Sequence, residues 1–246
     1  MLFAIIFRIA IHAIDVNLFA RDSRKKIMRL VLVRHAQSAN NALPDHQRVH
    51  DPGLTDLGLE QAEQLGAWIK SMPVTALWCS PFKRSLDTTE AIRRRCLLTP
   101  YVHIDLHELG GCYSGYQAIG RTGEAGMGAS ELRKRYPDYA IDSQITEDGW
   151  WFRKPFESQS LCDQRTARVI DWFKSQLNHA NDYAVAVIHA DFKRLILKQM
   201  LSPGLDVESL GPIFNASATA LRWDGKAWTL DFFNSISHLP YPLHSE

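Results

Sequence analysis

Six polar residues in this chain are of types that do chemistry on an anion: Arg34, His35, Asn41, Arg84, Glu108 and His189. Arg34 and His35 follow the apolar run Leu30-Val31-Leu32-Val33, and His189 follows a second such run, Val185-Ala186-Val187-Ile188. Continuous apolar runs of this length read as buried parallel strands, whose carboxyl ends are where open α/β sheets build their sites. Singly, each residue has an ordinary reading: a strand-end histidine, a helix-surface cation, a loop acid. Together, two guanidiniums and two imidazoles around one pocket concentrate positive charge, which a phosphoryl dianion relieves.

The elements that must position them are legible as hydrophobic periodicity. Met28 to Arg34 reads as a first strand, and the polar stretch Gln37 to Gly53, closed by Asp51-Pro52-Gly53, as a surface loop. Thr55 caps a helix with Ala62, Leu65, Trp68 and Ile69 inward, and Val74 to Cys79 is a short strand. Ser80-Pro81 reads as the N-cap and first turn of a helix running to about Arg95, which puts Arg84 in its first turns. Tyr101 to Leu106 alternates as a strand that delivers Glu108, and Gly110 to Gly128 is a glycine-rich, aromatic covering segment. Ser130 to Tyr136 is a short helix ended by Pro137.

The longest helical pattern, Glu157 to Leu177, turns Val169, Ile170, Phe173 and Leu177 inward and precedes the strand Tyr183 to Ile188. A helix from Asp191 to Leu201 follows, then a hairpin, Ala218 to Trp223 and Trp228 to Phe233, around the turn dipeptide Asp224-Gly225. Alternating strands and helices imply a three-layer α/β/α sandwich with a mostly parallel central sheet. Trp150, Trp151, Phe152, Tyr113 and Tyr116 either line a pocket for an apolar or aromatic leaving group or cap the edge of the core.

Composition narrows the function. The chain has 246 residues with 28 Lys and Arg against 27 Asp and Glu, a balance that argues against nucleic acid as partner. Cys79, Cys96, Cys112 and Cys162 form no C-x-x-C pair, which fits neither a zinc site nor a disulfide framework and makes a reducing, cytoplasmic setting the default. No clean metal-ligand spacing occurs among the histidines, and His46, His50, His103, His107 and His238 read as solvent or packing residues. Residues 1–27 read as an N-terminal extension before a single domain at 28–246. The extension is interrupted by Arg8, His12 and Asp15, too short and charged to span a bilayer, so no membrane partner is expected. It is a weak targeting segment or, with Met28 as the natural start, no part of the native protein.

From Met28 to about Leu197 the chain resembles the histidine phosphatase superfamily in its phosphoglycerate-mutase-like branch. The matching pieces are Leu32-Val33-Arg34-His35-Ala36-Gln37-Ser38 with Asn41, then Leu54-Thr55 with Gly58 and Gln61-Ala62, and Ser80-Pro81 with Arg84 and Thr88. Glu108 and Val187-Ile188-His189-Ala190 with Arg194 complete the set, and Glu157-Ser158 is similar to the family's Glu-Ser pair at a helix start. The resemblance implies that His35 is the nucleophile that becomes a phosphohistidine and that Glu108 protonates the leaving oxygen. It implies that Arg34, Arg84 and His189 bind the phosphoryl group and that Asn41 is a further ligand. No cofactor and no metal are called for, and the partner is a small phosphorylated substrate.

Departures from the family pattern refine this. The acid-phosphatase branch shows Arg-His-Gly-x-Arg-x-Pro and a His-Asp donor pair, whereas this chain has Arg34-His35-Ala36-Gln37-Ser38-Ala39 and His189-Ala190-Asp191. Cofactor-dependent mutases carry Tyr-Gly and Gly-Leu-Asn-Lys after the acid, where this chain has Leu109-Gly110-Gly111-Cys112-Tyr113-Ser114. The expectation is therefore a metal-independent phosphomonoesterase, with a phosphoglycerate-mutase-type phosphotransferase or a catalytically silent phospho-ligand-binding module as alternatives. Asp191 is a second candidate donor, and His107 beside Glu108 a rival for the acid. Ala36 in place of glycine requires a negative φ.

Overall fold

The computed structural model describes residues 27–179, 182–202 and 204–246. The reading of residues 1–26 as extension or targeting segment lies outside them. Strand β1 (Met28–Arg34) and strand β7 (Tyr183–Ile188) pair in parallel from Arg29 opposite Tyr183 to Arg34 opposite Ile188. Strand β2 (Ala76–Cys79) pairs in parallel on the other side of β7, followed by β3 (Tyr101–Val102) and β6 (Ala140–Ile141). On the far side of β1, β8 (Ala218–Trp223) and β9 (Trp228–Ser235) add antiparallel. The sheet order is β6-β3-β2-β7-β1-β8-β9.

Alternation along β1 sends Leu30 and Leu32 to one apolar cluster and Val31 and Val33 to another, all without exposed surface. Both faces must therefore be covered, which is why the run is apolar throughout. Helices α1 (Asp56–Ile69) and α2 (Lys83–Cys96) pack together over the Val31 and Val33 face through Leu65, Ile69, Leu86 and Ile92. Helices α4 (Gln159–Gln176) and α5 (Ala190–Leu201) cover the other face through Val169, Phe173, Phe192 and Ile196. This is the predicted three-layer arrangement with a mostly parallel sheet. Among the described residues, no helix is long and apolar enough to cross a membrane.

Three local expectations are corrected. Ser80 is not the N-cap of α2: the helix begins at Lys83 with Phe82 as its N-cap, and the acceptor for the Lys83 amide is Asp51 Oδ1 at 2.9 Å. The third strand stops at Val102, because His103 Nδ1 accepts from the Asp105 amide (3.1 Å) and turns Ile104–Leu106 into a 3₁₀ segment. The covering segment contains regular structure, a two-stranded ribbon of β4 (Tyr113–Tyr116) and β5 (Gly120–Gly123). Gly123 in that ribbon permits a close approach, since a Cβ there would lie 1.8 Å from the Lys154 carbonyl oxygen. Helix α3 (Ala129–Arg135) falls where predicted.

Candidate active site

Because β7 lies between β1 and β2 with all three parallel, their carboxyl ends deliver His35, His189 and Ser80 side by side. The ladder continues past the strands: the His35 amide donates to Ile188 O (2.9 Å) and the Ser80 amide to Val187 O (3.1 Å). The His35 and His189 rings meet edge to face with centroids 5.1 Å apart. The antiparallel β8 starts at the same end of the sheet, so the loop before it joins the site. There Arg34 donates from Nη1 to Ile213 O and from its backbone amide to Ser217 O (3.0 Å).

The hydrogen bonds of His35 fix its tautomer. Nδ1 lies 2.7 Å from Ala36 O, which only accepts, so Nδ1 carries the hydrogen. Nε2 is then the basic nitrogen, and Arg84 Nε donates to it at 3.1 Å. Burial, then Arg84 and Arg34, hold the ring well below the usual histidine range, leaving it neutral at physiological pH. A neutral imidazole whose Nε2 lone pair lies beside a guanidinium has the chemistry a nucleophile toward an anion needs. Ala36 is absent from the positive-φ residues, and its amide donates to Thr88 Oγ1 (3.0 Å), so the glycine-to-alanine departure is accommodated.

His189 is fully buried behind His35 rather than on the cavity wall. Its Nε2 is 2.8 Å from Ser80 Oγ, which also accepts from the Phe82 amide (3.3 Å). Ser85 Oγ lies on the same nitrogen at 3.4 Å, so two hydroxyls engage Nε2. Nδ1 has no partner among the described residues. Burial, and next to it Arg84, push this ring well below the usual range as well. Sequence reasoning missed Ser80 in this role because a serine before proline at a strand end is fully explained as a cap.

Glu108 acts as the acceptor for the N-terminus of α5. Its Oε1 takes the Phe192 amide (2.8 Å) and its own neighbour Leu109 N (2.9 Å), and Oε2 takes the Asp191 amide (3.3 Å). Burial and the negative charge of Asp191 raise its pKa, against the lowering by those amides and Arg84. The carboxyl group is thus biased toward its protonated form, as a proton donor requires. Asp191 is exposed and paired with Arg194 at 2.9 Å, while the rival His107 is buried and bonded through Nδ1 to Glu108 O (2.8 Å). Asn41 uses Oδ1 to accept from Ser38 N (3.0 Å) and Oγ (2.8 Å), so its amide NH2 is the end left for a ligand.

A cavity of about 400 Å3 brings together Arg34, His35, Asn41, Arg84, Glu108, Asp191 and Arg194. It adjoins a smaller one of about 110 Å3 under the β4–β5 ribbon, lined by Arg84, Glu108, Arg48, His50, Tyr113, Tyr116 and Arg121. The aromatic cluster splits: Tyr113 and Tyr116 line the cavity, whereas Trp150 and Trp151 are buried in the core. Among the described residues, no three His, Cys, Asp or Glu side chains converge as metal ligands. The scaffold beneath Glu108 also escaped the sequence reading. Glu157, seen there only as part of a helix start, pairs with Arg165, which also donates to the Asp105 and His107 carbonyls. Ser158 is the N-cap of α4, as its type suggests.

Residues 30–236 match the model of the histidine phosphatase superfamily, branch 1. The chain belongs to this superfamily. Two relatives from Arabidopsis thaliana are each 26% identical: a phosphoglycerate mutase-like protein 4, matching 85% of this chain and 86% of its own, and a metal-independent phosphoserine phosphatase, matching 87% and 84%. Among solved structures, a phosphoglycerate mutase from Bacillus anthracis superposes with a TM-score of 0.63 at 19% identity, over 89% of this chain and 97% of that one. A mycobacterial glucosyl-3-phosphoglycerate phosphatase gives 0.57 at 20% identity, over 85% and 99%. At these identities the superpositions speak to fold, which is the phosphoglycerate-mutase-like one.

Proposed function

We propose that this superfamily member is a phosphatase that hydrolyses small phosphate monoesters without a metal, through a covalent phosphohistidine on His35. The observation that carries the reading is the state of His35: neutral, hydrogen on Nδ1, and Nε2 presented beside Arg84. The Nε2 lone pair attacks phosphorus while the ester P–O bond breaks, and the departing oxygen takes the proton of the Glu108 carboxyl group. Glu108, now a carboxylate, accepts a proton from the water that attacks the phosphohistidine; the P–N bond breaks and its electrons return to Nε2. Arg34, Arg84 and Asn41, which line the cavity with His35, hold the phosphoryl oxygens, the planar guanidiniums spreading the charge of the transition state, and His189 packs against the His35 ring from behind. The phosphoserine phosphatase relative supports hydrolysis over transfer, as does the absence of a mutase-like segment after Glu108.

Rapid acid or alkaline quench after mixing with a labelled monoester tests this. The wild type should yield an acid-labile, base-stable phosphoenzyme and inorganic phosphate, and His35→Ala should yield neither. Turnover without a phosphoenzyme, or a phosphoenzyme in His35→Ala, overturns the mechanism. Transfer of label to a second hydroxyl in preference to water overturns the assignment as a hydrolase.

A further inference from the structure

We infer that Thr88 is a positioning residue whose hydroxyl sets the His35 ring against the Arg84 guanidinium; this rests on the phosphatase reading above. Four hydrogen bonds close a ring through these residues. Arg84 Nε donates to His35 Nε2 (3.1 Å), and His35 Nδ1 donates to Ala36 O (2.7 Å). The Ala36 amide donates to Thr88 Oγ1 (3.0 Å), and Thr88 Oγ1 donates to Arg84 O (2.7 Å). His35 and Arg84 enter the ring as the groups that meet the phosphoryl, and Ala36 enters through its backbone. Thr88 is the one member whose side chain has no part in the chemistry itself.

A helical threonine commonly returns its hydroxyl proton to the carbonyl four residues back, which alone is a packing detail. Thr89, equally buried, makes that bond to Ser85 O (2.7 Å) and stands outside the ring. Thr88 differs in its second contact. The bond to Arg84 O uses the only proton of the hydroxyl, which leaves its lone pairs for the amide of Ala36, a residue with no exposed surface just past β1. The next two amides also go to side chains, Gln37 N to Gln61 Oε1 (2.8 Å) and Ser38 N to Asn41 Oδ1 (3.0 Å), so the loop stays anchored when the Thr88 bond is lost. What is lost is the tie between the peptide that orients the imidazole and the turn that carries the guanidinium. A guanidinium that withdraws from Nε2 depresses the imidazole less, and His35 rises toward the ordinary histidine range. The other groups around His35 are Arg34, Lys193 and His189, with Glu108 and Asp191 on the shared cavity wall; none is hydrogen-bonded to Thr88, so their influence stays as it is.

Hydrolysis of p-nitrophenyl phosphate across pH tests the inference in Thr88→Val, which keeps the branched shape and removes the hydroxyl. Its kcat should fall about tenfold or more, within the roughly hundredfold that a 1 Å misplacement costs. The acid limb of kcat/KM should move up by about half a pH unit or more, and the ring 15N shifts of His35 in labelled protein should report the same rise without turnover. Thr88→Ser, which returns the hydroxyl, should restore most of both. Thr89→Val is the structural control: it should lower the urea midpoint comparably and leave the acid limb in place. A valine variant with the wild-type limb, a serine variant as impaired as the valine one, or a limb displaced as far in Thr89→Val overturns the positioning role alone. Should Thr88→Val not fold, Thr88→Cys replaces it, its thiol being only a weak donor and acceptor, and an unmoved limb there overturns the role equally. Failure of the wild type to hydrolyse the ester overturns the phosphatase reading and the inference with it.

Discussion

Glu157→Gln should destabilise the protein by about 3 kcal/mol, because it leaves a buried guanidinium without its counter-charge. Arg165 and Glu157 have side chains 2% and 5% exposed and meet in a two-point contact, Nε to Oε1 at 2.8 Å and Nη2 to Oε2 at 2.7 Å. Breaking such a pair by removing one partner costs about 3–5 kcal/mol. The glutamine variant belongs at the low end, since its amide oxygen still accepts one bond and Arg165 keeps the Asp105 and His107 carbonyls at 2.8 and 2.9 Å. Arg165→Met belongs at the high end or above it. It strands the carboxylate and also deprives those two carbonyls of a donor, about 1–3 kcal/mol each when buried. For a chain of this size each kcal/mol moves Tm by about 2–4 °C, so drops of roughly 6–12 °C and 10–20 °C are expected.

Urea unfolding measures both free energies, and kinetics separates them further. The carbonyls that Arg165 holds, those of Asp105 and His107, lie just before Glu108 in the chain, so Arg165→Met should also lower kcat, while Glu157→Gln, which leaves that grip in place, should alter kcat much less. Replacing both partners by apolar residues, Arg165→Met with Glu157→Leu, should recover about 2 kcal/mol relative to the sum of the single changes. Single losses below 1 kcal/mol, or strict additivity in the double variant, would refute the argument that this ion pair is desolvated and clamps the loop.

Three further outcomes follow from the charges. The kcat/KM profile should be bell-shaped: the acid limb lies below 6.5, where His35 protonates, and the alkaline limb reports loss of the Glu108 proton. Asp191→Asn removes a negative charge that raises Glu108, so the alkaline limb should move to lower pH; an unmoved or rising limb would remove Glu108 from the role. His35, His107 and His189 are all held neutral by burial, so below pH 6.5 the unfolded chain binds protons that the folded one refuses. Stability should therefore fall as pH drops through 6.5, by up to about 4 kcal/mol per pH unit for three such groups, and urea midpoints at pH 7 and 5.5 check it. Lys193 is fully buried with Ser217 O (3.1 Å) and Oγ (3.3 Å) as its hydrogen-bond partners among the described residues, and burial pulls its amine well below the usual range. Below pH 10.5 the unfolded lysine is protonated and the folded one is not favoured to be, so Lys193→Met should gain about 1 kcal/mol or more at pH 7, and a loss in urea titration would count against it.

What the sequence made legible is tied to burial on two faces of a sheet. Leu30 to Val33 and Ala184 to Ile188 read as strands because both faces are covered, and that same fact forces whatever follows them, His35 and His189, to the common edge. The helices that cover those faces showed their inward stripes for the same reason. Tyr101 to Leu106 misled because its apolar alternation is satisfied by a two-residue strand and a 3₁₀ turn equally well, the choice being made by a His103 side chain bonding to backbone. Ser80 was read as a helix cap because the true acceptor for α2, Asp51, lies 32 positions away from Lys83 and leaves no local trace.

The same distinction separates the two halves of the site. The part beside the sheet is assembled from residues adjacent to strand ends, where chain direction and sheet order determine which side chains meet, so Arg34, His35 and His189 could be named before their distances were known. The outer wall is built by the loop around Arg48 and the ribbon carrying Arg121, segments whose course depends on contacts such as the Lys154 carbonyl against Gly123 and the Phe156 face under Arg121. No period in the sequence encodes those contacts. A fold of this kind can hold one reaction at its sheet edge while the loops change what is brought to it, and here the loops bring cations.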